Sequence, residues 1–129
     1  MNLDLVYDRL KMLSYTDISQ NDKAIIALLA NKVESTILLK CNLAEVPDAL
    51  TPIIVDRVCG EFLWSLKQLG HLKHFNLESA AKQVILGDAT VTFAVGDGDK
   101  TPEARLDALL SYLMIEGEDE ILCYRQLKW

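Results

Sequence analysis

Residues 51–69 constrain the fold more than any other stretch of the chain. Thr51-Pro52 is a helix start: a hydroxyl that can cap free backbone N–H groups, then a proline at the first helical position, where its missing N–H has no partner to lose. Val55, Cys59, Phe62, Leu66 and Leu69 follow on one stripe at helical spacing, and Ile54, Val58 and Leu63 widen it. The spacing predicts a helix over 52–69 that is central to the core, with Gly70 as its C-terminal cap. Gly60 stands mid-helix, where glycine costs about 1 kcal/mol relative to alanine. A close crossing by another helix accounts for it.

Three further helices are expected around this one. Leu3, Val6, Leu10 and Leu13 share a stripe over 3–14. Ile25, Ile26, Leu29, Val33, Ile37 and Cys41 cover a broad face over 22–41, and Asn21 or Asp22 is placed to cap its start. Pro47 bars helix continuation through the linker 42–50. Thr101-Pro102 repeats the helix-start signal, and Leu106, Leu109, Leu110 and Leu113 give a stripe over 102–115 that Gly117 stops. Between the third and fourth helices, Lys82 to Leu86 alternates in character and Thr90-Val91-Thr92-Phe93-Ala94-Val95 is β-branched and aromatic, with Gly87-Asp88 between. That pattern predicts a β-hairpin-like loop over about 80–99. Beyond Glu116-Gly117-Glu118-Asp119-Glu120, residues 121–129 are apolar and aromatic and read as an extended C-terminal arm, with Gly117 exposed. The expected fold class is therefore mainly α: a single small four-helix domain of 129 residues, with a hairpin-like loop and an arm.

Charge is uneven. Residues 1–85 carry 10 acids and 9 bases, residues 86–120 carry 9 acids and 2 bases, and residues 121–129 add Arg125 and Lys128. The net charge of −6 argues against tight nucleic-acid binding, which needs a concentrated basic surface. No apolar run approaches the roughly 18 residues of a membrane span, and the first residues lack a basic then apolar leader. A soluble intracellular domain is expected. Cys41, Cys59 and Cys123 are odd in number, unpaired in spacing and set among apolar residues, so all three are expected to be buried free thiols.

Residues that could carry chemistry do not assemble into a site. Gly96-Asp97-Gly98-Asp99-Lys100-Thr101 lacks the glycine before lysine of a phosphate loop and the third glycine of a dinucleotide fingerprint. As a calcium loop it would need glycine and glutamate where Pro102 and Ala108 stand. His71 and His74 are three apart, with Glu78 the one nearby third ligand, and they read better as an exposed pair at a helix end. No nucleophile is coupled to a histidine by motif. No catalysis, cofactor or metal is expected.

Four segments in order carry a resemblance. They are Glu45-Val46-Pro47-Asp48-Ala49-Leu50, leading into the long third helix; Lys82-Gln83-Val84-Ile85-Leu86-Gly87-Asp88-Ala89-Thr90-Val91-Thr92-Phe93; Glu103-Ala104-Arg105-Leu106-Asp107-Ala108-Leu109-Leu110; and Tyr124-Arg125-Gln126-Leu127-Lys128-Trp129. From about Ile25 to Trp129 the chain resembles the head–tail connector (adaptor) proteins of tailed bacteriophages and defective prophages. The resemblance implies a structural subunit of the virion neck, assembled in the host bacterial cytoplasm as a ring, commonly of twelve copies. Such a ring lies beneath the portal protein, extends the DNA channel and offers a docking surface to tail-completion proteins. DNA would pass without tight binding, and acidic residues would suit such a lining. Within that frame Tyr124, Arg125, Leu127 and Trp129 are expected to reach a neighbour or the portal. Asp88, Phe93, Asp97 and Asp99 are expected to face the channel or a partner. A second class stays open: a small acidic helical adaptor or regulator that binds a basic protein.

Overall fold

The computed structural model describes residues 1–13, 15–69, 102–115 and 117–125. The architecture is mainly α, with helices α1 (Leu3–Met12), α2 (Gln20–Cys41), α3 (Thr51–Gln68), α4 (Pro102–Ile115) and a short α5 (Glu118–Cys123); a 3₁₀ turn, Asp48–Leu50, leads into α3. No strand occurs among the described residues. The expected hairpin over 80–99 lies outside them, as do Gly70, His71, His74 and the segment 96–101.

Helix α3 is the hub, packing against α4, α2 and α1. Its Val58, Cys59, Phe62 and Leu63 are fully buried, among Leu109, Leu110 and Leu113 of α4, Ile26 and Ile37 of α2, and Val6, Leu10 and Leu13 of the α1 segment. The stripe ends sooner than its spacing suggests, because Leu69 is largely exposed. Gly60 explains itself at the α3–α4 crossing: a Cβ there would lie 2.8 Å from the Cβ of Leu113 and 3.2 Å from the backbone nitrogen of Met114.

Helix ends depart from expectation by a few residues, each for a local reason. Helix α2 starts earlier because Ser19 is its cap: the Ser19 hydroxyl accepts from the Asp22 N–H at 3.0 Å, and the Asp22 carboxylate accepts from the Ser19 N–H at 3.1 Å. Asp22 is thus the third helical residue and not the cap. Helix α2 ends on Asn42 in the left-handed region, φ +54°, with the Leu43 N–H donating to the Leu38 carbonyl at 3.0 Å. Thr51 does not cap α3, since the 3₁₀ turn already gives it helical geometry and Leu50 takes the cap position.

The α1–α2 connection is closed by Tyr15. Its ring stands edge-on to Phe62 at 5.4 Å and 86°, while its hydroxyl donates to Asp22 at 2.9 Å. Burial, then the neighbouring Asp22 carboxylate, pushes the Tyr15 phenol up to about 12.

Two predictions follow from this packing. Phe62→Ala should cost about 3–5 kcal/mol. Gly60→Ala should lose up to about 2 kcal/mol in denaturant unfolding, because overpacking of about 1–3 kcal/mol offsets or outweighs the helix-propensity gain of about 1. Stabilisation by Gly60→Ala would disprove the close crossing. The raised Tyr15 pKa sets an alkaline limit. The unfolded phenol ionises first, so stability present below the unfolded pKa of about 10 is lost as pH rises towards 12. Absorbance titration should show a phenolate forming near 12 that Tyr15→Phe abolishes.

Candidate interaction surfaces

The C-terminal region is built differently at its root from the arm expected over 121–129. Gly117 turns the chain with φ +84° and is buried against Ile53, so the acidic run around it does not place it in solvent. Three acids then open α5, as suits the positive end of a helix dipole. Glu118 accepts from Arg57 Nη2 at 2.8 Å and pairs with Lys40, and Arg57 also donates to the Ile115 carbonyl at 3.2 Å, holding the end of α4. Ile121 is fully buried, and the Cys41 thiol donates to its carbonyl at 3.3 Å. Residues 121–123 are therefore a bracket on the core, and a free segment can begin only after them.

Tyr124 and Arg125 stand exposed beyond that bracket, with Tyr124 38 % exposed next to exposed Leu122 and Cys123. Leu127 and Trp129 lie outside the described residues, as do Asp88, Phe93, Asp97 and Asp99. The thiols divide: Cys41 and Cys59 are buried and Cys123 is exposed, against the expectation for all three. Among the acids of the 86–120 stretch whose side chains are described, Asp107 pairs with Lys67 and Glu118 with Lys40 and Arg57, and Asp119 and Glu120 are exposed.

A second surface was not singled out by periodicity. Two depressions of about 510 Å³ each meet at Leu5 and Thr51, between α1, the α2–α3 link and α3. The first is lined by Leu5, Leu38, Val46 and Ile54 together with Glu34, Glu45 and Asp48. The second is lined by Leu5, Met12, Pro52 and Val55 and closed by Arg9 and Asp56, which pair at 2.8 Å. Burial pushes the Asp56 carboxyl up, and the adjacent Arg9 guanidinium pulls against it without cancelling the effect. Leu5 and Met12, 41 % and 51 % exposed, are seven apart and off the buried stripe of α1. That spacing was the available signal, since two apolar residues on the outer face of a short helix mark a surface.

Among the described residues no group of three His, Cys, Asp or Glu is placed to hold a metal, and no helix is long and apolar enough to cross a membrane. No family model, curated protein or solved structure matches the chain.

The bracket generates a local prediction. Glu118→Ala should cost about 1 kcal/mol, as befits partly exposed ion pairs. It should also speed hydrogen exchange at the amides of Ile121, Tyr124 and Arg125, which are bonded within this turn. Unchanged protection there would show that Glu118 does not hold the root.

Proposed function

We propose that the chain is a head–tail connector subunit, a structural protein that assembles as a ring beneath a portal, extends the DNA channel and presents a docking surface to tail-completion proteins. The observation that carries this reading is the ordered set of four sequence segments, at 45–50, 82–93, 103–110 and 124–129, in a chain whose described part is a helical bundle. The first segment holds the 3₁₀ turn into α3, the third lies in α4 and the fourth begins at the end of the α5 bracket.

One feature suits a channel that DNA must pass: Asp119 and Glu120 are exposed, and exposed carboxylates repel phosphate.

The test is electron microscopy of the protein mixed with the portal protein encoded in the same genome. Connector function predicts a ring of this chain seated on the portal. A chain that ignores the portal and instead captures a basic protein as a monomer or dimer belongs to the adaptor class. Deletion of 124–129 spares Glu118 and Ile121, so the truncated subunit should keep its helical content and melting temperature within a few degrees while losing ring formation or portal binding. A truncated chain that unfolds, or that assembles normally, excludes 124–129 as the joining segment.

A further inference from the structure

The depression rimmed by Glu34, Glu45 and Asp48 and the segment 124–129 are complementary in make-up. The depression has apolar walls from Leu5, Leu38, Val46 and Ile54 with an acidic margin. The segment alternates Tyr124, Leu127 and Trp129 with Arg125 and Lys128. We propose that this groove receives the 124–129 segment of a second copy of the chain, in a head-to-tail contact. The inference names the joining surface of the proposed ring and rests on the connector reading for closure of that ring.

Charge supports the match. Glu34 pairs with the amino group of Met1 at 3.6 Å, whereas Glu45 and Asp48 are exposed and carry no ion pair among the described residues. Two uncompensated acids thus stand beside an apolar depression, and the segment supplies two cations spaced among aromatic and aliphatic side chains. Aromatic residues set in a pocket, with charges at its margin, are the usual division of labour at an interface.

The root of α5 crosses the end of α2, where Lys40 holds Glu118 and the Cys41 thiol bonds the Ile121 carbonyl, whereas Glu34 and Leu38 face the groove. Donor and acceptor are different surfaces, so the contact is heterologous: each copy offers one segment and one groove, and repetition by rotation builds a ring.

The probe is a fluorescent peptide of sequence 124–129, titrated by anisotropy into the intact protein. Saturable binding is expected. Glu45→Lys with Asp48→Lys should weaken it about tenfold, since two exposed attractions become repulsions, and circular dichroism should confirm that this surface variant is folded. A mixing experiment then asks for complementation. The Glu45→Lys/Asp48→Lys chain keeps its segment, and a chain ending at Cys123 keeps its groove. Neither should self-associate, and together they should form a one-to-one pair in sedimentation. The proposal is overturned if the peptide binds neither the intact chain nor the chain ending at Cys123, if the double variant binds it equally, or if binding appears only once 124–129 is removed from a protein that sediments as a monomer, which would mean that the segment occupies its own groove. Rings that form undisturbed by the double variant also reject this contact while leaving the connector reading intact. Peptide binding that follows the expected pattern in a chain that never forms rings supports the contact and rejects the connector reading.

Discussion

The missing side chain at Gly60 sets how near α4 lies to α3, and much of the remaining packing follows from that separation. With Leu113 and Met114 brought against the α3 backbone, Leu109, Leu110 and Leu113 reach the same core as Phe62 and Leu63. A wider gap would leave those leucines over a void, and voids in an apolar interior are costly because the lining atoms lose their contacts. The same approach brings the end of α4 within reach of Arg57, which bonds the Ile115 carbonyl and then Glu118. The position of α5 is therefore a consequence of a contact made elsewhere on α3.

Several polar side chains sit at the margins of that core with evident partners. Asp22 is buried but accepts from both Tyr15 and the Ser19 N–H, so its desolvation is offset by two directed bonds. Asp56 is less favourably placed, since its carboxyl is pushed up despite Arg9. A partly buried pair of this kind adds little net stability and mainly fixes how α1 is seated along α3. The ion pairs of Lys67 with Asp107 and of Lys40 with Glu118 lie nearer solvent and act as positional ties more than as sources of stability.

Much of the helical layout was legible because its signals are local. The stripe of Val55, Cys59, Phe62 and Leu66 announces α3, Pro102 and Ile115 bound α4 where proline and leucine spacing put them, and Gly60 anticipates a close crossing. Caps were less legible, since Ser19 and Asp22 act as a reciprocal pair and either residue alone suggests a different start. The root of the C-terminal region was misread because its decisive contacts, from Arg57, Lys40 and Ile53, come from positions more than 60 residues away in sequence. The groove on α1 was missed for a related reason: an outward Leu5 or Met12 carries no periodic signature until the neighbouring helix and link give it walls.

The unequal fate of the three thiols has a practical side. Cys41 and Cys59 are sealed in the core, and burial pushes the Cys59 thiol well above the range in which thiolates form near neutrality. Cys123 is open to solvent and sits one residue before Tyr124. A maleimide spin label or environment-sensitive dye added to the natural protein should therefore attach at a single sulfur, at the boundary between the anchored bracket and the residues beyond it. The molecule carries its own reporter for the polarity and mobility of that boundary.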